Sequence, residues 1–152
     1  MKYSQNEIKR IGLSCLNINL RKTSRLITNY YDSMLKPCGL RITQFTVLAS
    51  IAYEENQSIT DLSRVTDIDR TTLQRSLEIL KRDGLILMEK KISGNVSCLS
   101  LTKKGEQLLT KGIELWRKAQ DGITELMGKT EFKQVLKMLS DVRKLPNLQE
   151  EN

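Results

Sequence analysis

A chain of 152 residues, 39% of them hydrophobic, can bury one core and is too short for two independent lobes. Its formal charge of +7 suits a polyanionic partner, nucleic acid before an anionic membrane surface. The absence of histidine removes the commonest general base and metal ligand, and no Gly-rich phosphate loop or nucleophile elbow takes their place, which argues against an enzyme.

In chain order, Ile8, Ile11, Cys15 and Ile18 recur at spacings of three and four, and Leu26, Tyr30 and Met34 continue the step, which predicts one long helix from Ile8 to Lys36. A second stripe of Leu16, Leu20, Ile27 and Tyr31 makes the apolar surface wider than one core requires, so part of it is expected to meet another subunit. Pro37, Cys38 and Gly39 end that helix. Thr43 is read as the cap of the next helix, with Phe45, Val47, Leu48, Ile51 and Ala52 on its buried face and a brief strand at Ser58 and Ile59. Thr60 then caps a short helix with Leu62 and Val65 inward, Thr66 to Ile68 make a turn, and Asp69 caps a further helix. In that helix Leu73, Leu77 and Leu80 form one stripe before Gly84 stops it. Leu85 to Lys91 and Val96 to Leu101 read as a hairpin around Ser93, Gly94 and Asn95. Thr102 caps a long helix reaching Leu126, Thr130 caps the last one, and Pro146 ends it.

Charge is uneven along this series. Residues 1 to 36 carry seven basic and two acidic side chains and residues 56 to 105 nine against six, whereas 106 to 152 carry eight of each. Cys15, Cys38 and Cys98 lie far apart with no C-x-x-C pair, so reduced thiols are expected and a metal site or other cofactor is not. The polar start from Met1 to Arg10 and the lack of a long apolar run predict a cytoplasmic protein without a membrane segment.

Two short helices joined by a tight turn, the second packed through one leucine stripe, leave that second helix with a face free to enter a DNA major groove. With Leu73 inward and about 100° per residue, Thr71, Arg75 and Arg82 lie nearly opposite, and Gln74 and Glu78 fall on the flank. Arg can donate two hydrogen bonds to guanine, Gln can pair with adenine, and Thr can meet a thymine methyl group, so Thr71, Gln74 and Arg75 are the candidates for base edges. Arg70 and Thr72 are placed to touch phosphate, Lys90 and Lys91 at the base of the hairpin to reach the adjacent backbone or minor groove, and Ser58 to Thr60 to lend N–H groups to another phosphate.

The run Asn19-Leu20-Arg21, Ser24-Arg25, Tyr31-Asp32, Leu35, Gly39-Leu40 and Thr43-Gln44-Phe45 resembles the opening of MarR-family regulators, and Asp69-Arg70-Thr71-Thr72-Leu73 with Arg75 and Leu77 resembles their recognition helix. Gly84-Leu85 and Leu99-Ser100-Leu101-Thr102, then Gly105, are similar to the start and end of their wing. The resemblance spans roughly residues 11 to 145, and its specificity lies in the ordered series rather than in any one motif. It implies a mainly α fold with a small β-hairpin wing: one domain over 1–152, with dimerisation helices in 1–36 and 103–146 and a winged helix-turn-helix in 40–102. It also implies a homodimeric repressor on a near-palindromic double-stranded operator, released by a small ligand. Where many members carry Asp-x-Arg in the wing, this chain has Ser93 and Asn95, so Lys90 and Lys91 are expected to replace the minor-groove contact in part.

By the same resemblance Asn19, Tyr30, Phe45 and Trp116 line a pocket for a small aromatic ligand, although a Trp among Leu and Ile at helical spacing also reads as plain core. One branch of the family senses oxidants through a cysteine near the start of the first helix. That position corresponds to Asn17, two residues from Cys15, which lies on the apolar stripe where a thiol is usually inert. Redox sensing through Cys15 stays open as an alternative, as does a winged module that binds another protein instead of DNA.

Overall fold

The computed structural model describes residues 3–54, 57–90 and 97–145. Its elements are α1 (Gln5–Ser14), α2 (Leu16–Leu35), a 3-10 turn (Lys36–Cys38), α3 (Ile42–Tyr53), α4 (Ile59–Thr66), α5 (Arg70–Arg82), β1 (Ile86–Lys90), β2 (Ser97–Leu101), α6 (Lys103–Met127) and α7 (Lys129–Val142).

The stripe that predicted one N-terminal helix is interrupted. Cys15 adopts an extended conformation between α1 and α2. Side chains stabilise the break: Ser14 Oγ donates back to the Arg10 carbonyl at 2.8 Å, and Asn19 Nδ2 donates to the carbonyls of Leu13 at 3.2 Å and Cys15 at 3.0 Å. The three- and four-residue spacing carries across the junction, so periodicity alone does not reveal it.

Three expected caps also move. Arg41 rather than Thr43 precedes α3, with its N–H held by Gln44 Oε1 at 3.0 Å. Ser58 and Ile59 form no strand, because Ser58 Oγ accepts the Asp61 N–H at 3.1 Å and starts α4, which leaves Thr60 inside the helix. Gly128, at φ 87°, replaces Thr130 at the head of α7. Ala52 and Val65, expected inward, are exposed, Val65 to 59%.

The core lies where α3, α4, α5, the hairpin and the first half of α6 meet. Leu48, Ile51, Leu62, Leu73, Leu77 and Leu80 are fully buried there, and Ile86 and Leu99 join them from the hairpin. The strands pair antiparallel with Ile86 opposite Leu101 and Met88 opposite Leu99. At the head of α6 the helix runs so close to the chain entering β1 that a Cβ on Gly105 would lie 2.0 Å from the Leu85 carbonyl oxygen, and only glycine fits. Neither α1 nor α7 contains a buried residue, and among the described residues no helix is long and apolar enough to cross a membrane.

Candidate nucleic-acid interface

The turn between α4 and α5 is built by short polar side chains. Asp67 takes the left-handed conformation at φ 54°, and Ser63 Oγ donates to the Ile68 carbonyl at 2.7 Å, closing the corner. Asp69 then caps α5, its Oδ1 accepting the Thr72 N–H at 2.9 Å. Hydrogen bonding from Thr72, aided in smaller part by the Arg75 charge, holds the Asp69 carboxyl below its ordinary range, so it stays ionised at the positive end of the helix.

Helix α5 divides by face as its spacing requires. Leu73, Leu77 and Leu80 are fully buried, while Arg70, Thr71, Thr72, Gln74, Arg75 and Glu78 are exposed. Among the described residues neither Arg70 nor Arg75 is engaged in an ion pair, whereas Arg82 pairs with its neighbour Asp83 at 3.2 Å. The first two turns of α5 therefore present donors, a hydroxyl-bearing pair and a side-chain amide to the surroundings, the set that reads base edges and phosphates.

The start of α4 is less suited to phosphate than its sequence suggests. Ser58 Oγ donates to Asp61 Oδ2 at 2.6 Å and takes up the Asp61 N–H, so an incoming phosphate meets a carboxylate at that helix end. On the wing, Lys90 is the last residue of β1; Lys91, Ser93 and Asn95 lie outside the described residues.

The far end of α5 is tied to α6. Gly84, at φ 70°, ends the helix, with the Leu85 N–H bonded to the Leu80 carbonyl. Thr102 Oγ1 donates to the Gly84 carbonyl at 2.7 Å and accepts the Gly105 N–H, while Lys104 Nζ donates to the Asp83 carbonyl at 2.7 Å. Lys104 thus places its charge at the negative end of α5.

The four residues expected around a ligand are not gathered in one cavity among those described. Phe45 and Trp116 stack on each other with ring centroids 6.3 Å apart and planes 17° from parallel. Asn19 is occupied at the α1–α2 break. Tyr30 lines a separate apolar groove with Leu26, Ile27, Gly122, Ile123 and Leu126. Cys15 is half-buried at the same break as Asn19, and all three cysteines are free thiols. No group of three potential metal ligands occurs among the described residues.

Comparison with known proteins places this geometry. The MarR family model matches residues 39–91, the span from the head of α3 through β1. The chain is 30% identical over 143 residues to the HTH-type transcriptional regulator BilQ of Clostridioides difficile, covering 92% of this chain and 93% of that protein. Among solved structures, the Mycobacterium tuberculosis transcriptional regulator MosR in complex with DNA aligns at a TM-score of 0.79 and 30% identity, covering 89% of this chain and 98% of that one. The transcriptional repressor CouR bound to a 23-mer DNA duplex aligns at a TM-score of 0.81 over 94% and 99% of the two chains, its 22% identity extending the likeness in fold alone. With a full-length regulator at this identity and the family match centred on the helix-turn-helix, the chain belongs to the MarR family of winged-helix, DNA-binding transcriptional regulators.

Proposed function

We propose that this regulator is a repressor that acts as a homodimer on a near-palindromic operator, with Thr71, Gln74 and Arg75 reading bases and Arg70 and Thr72 holding phosphate. The observation that carries the reading is the division of α5: its leucines are hidden and those five side chains face outward near the helix N-terminus. The reading assigns 40–102 to DNA binding and the helices of 1–36 and 103–146 to dimerisation. Leu13, Leu136 and Met138 support the second assignment, since each is at least half exposed on helices that contain no buried residue. Lys90, Lys91 and Asn95 belong to the wing contact in this reading.

Release by a small ligand is part of the same proposal. The groove beside Tyr30, about 330 Å³ and lined almost wholly by apolar side chains, favours an aromatic or aliphatic molecule over a highly charged one.

The test is selection of duplexes from a randomised double-stranded DNA library, followed by binding at rising salt. An inverted repeat is expected, with affinity that falls steeply as salt rises. Retention of no sequence over any other would count against operator recognition.

A further inference from the structure

Among the described residues, every side-chain hydrogen bond that joins positions ten or more apart lies where the long helices meet one another or the winged region. Two of these start from adjacent residues of α2. The Tyr31 hydroxyl donates to Gln120 Oε1 on α6, and Asp32 Oδ1 accepts the Ile42 N–H at 2.7 Å, across the 3-10 turn. Ile42 is the first residue of α3, so its N–H has no acceptor within that helix. Burial, with Tyr30 beside it, raises the Tyr31 hydroxyl above its ordinary pKa and keeps it a donor.

From this juxtaposition we infer that Asp32 is a positioning residue for operator recognition: by capping α3 from α2, it fixes the angle between those two helices, alongside the ties from α6 to the end of α5, and so narrows the half-site spacing the dimer accepts. This inference rests on the homodimeric, operator-binding reading above.

The physical case has three parts. The connection between α2 and α3 contains Gly39 at φ 75°, where nothing lies within 4 Å of a would-be Cβ, so local packing around that residue does not hold the angle. Leu35 and Leu40, buried on either side of it, anchor the segment without direction, since apolar contact is not directional. A charge-assisted hydrogen bond to a helix N-terminus is directional and draws on the positive end of α3. Spacing is sensitive to such an angle, because each base pair added between half-sites rotates one recognition helix by about 35° around the duplex and moves it by about 3.4 Å. A residue that governs the angle makes no DNA contact and still decides which duplexes fit both α5 helices at once.

The experiment starts from the inverted repeat selected by the wild-type protein from a randomised duplex library. A series of duplexes is made with its centre shortened or lengthened by one and two base pairs, and affinities are measured for wild type, Asp32→Ala and Asp32→Asn. Wild type is expected to prefer the selected spacing by on the order of tenfold or more over the others. Asp32→Ala is expected to remain a dimer by sedimentation and to hold that preference to within about threefold, mainly by gaining on the wrong spacings. Asp32→Asn, which keeps an acceptor oxygen, is expected to recover most of the preference. Hydrogen exchange at the Ile42 amide gives a second measurement, with protection lost in the Ala variant and largely kept in the Asn variant.

If Asp32→Ala keeps the wild-type preference, or weakens binding equally at every spacing, the positioning role is overturned. The same follows if it does not fold while Asp32→Asn, folded, has lost the preference. A wild-type protein that binds DNA with no spacing preference at all overturns the dimeric-operator reading instead, which separates the two failures.

Discussion

Between Leu40 and Leu109 a connected set of leucines, isoleucines, Val47 and Phe45 is buried, although Tyr53, Val65 and Leu87 stay exposed, whereas along α1 and α7 not one residue is buried. The winged region closes a core with help from Leu35 of α2 and Leu109 of α6: α3, α4, α5 and the hairpin bring a set of leucines and isoleucines to full burial. Along the terminal helices, side chains of the same chemistry, Ile8, Ile11, Leu13, Leu136 and Met138 among them, stay about half or more in solvent. The two regions answer different demands. A region with a closed core can hold a recognition surface rigidly in one chain, while helices with this much unpartnered apolar face are the ones the dimeric reading assigns to a second copy.

The largest effect should come from breaking the closed region. Leu77→Ala empties a fully buried site at the centre of α5, and urea denaturation is expected to show a loss of about 4 kcal/mol. Next comes the open region. Replacing Leu136 and Leu139 of α7 with Lys is expected to yield a monomer in sedimentation, and affinity for a duplex with two half-sites to fall on the order of a hundredfold, because joint engagement is lost. An unchanged sedimentation coefficient would show that α7 takes no part in the interface.

Arg75→Ala addresses the surface that the closed region supports. It should cost about 2 kcal/mol of operator binding and relax selection at one base pair in each half-site, with the melting temperature unaltered. Equal weakening on all sequences would instead make Arg75 a phosphate contact. The smallest effect is expected at the α5 cap. Since folding lowers the Asp69 carboxyl from its ordinary value of 3.8, its contribution to stability is complete above that pH and is lost as pH falls through the lower folded value. Asp69→Asn keeps a capping oxygen and should remove this acid-dependent part of the melting profile, with a neutral-pH melting temperature slightly below wild type.

The legible part of the molecule was the part governed by local spacing. The leucine stripe of α5, its Asp69 cap, the Gly84 stop and the Thr102 cap are all short-range devices, and all stand where the sequence puts them. Misplaced features shared another cause. The strand read at Ser58, the cap read at Thr43 and the single N-terminal helix each depended on a choice among neighbouring polar residues, and a side chain able to reach back settled each one: Asp61 with Ser58, Gln44 with Arg41, and Asn19 at the break.

By itself the sequence determined the winged helix-turn-helix and the outward set of Thr71, Gln74 and Arg75, because a helix of 3.6 residues per turn converts spacing directly into faces. Folding in three dimensions supplied the rest: Asp32 holds the first amide of α3, Lys104 and Thr102 grip the end of α5, and Phe45 meets Trp116. Those contacts join residues ten to seventy-one positions apart, and no local period encodes which distant partners folding will bring within hydrogen-bonding or stacking reach.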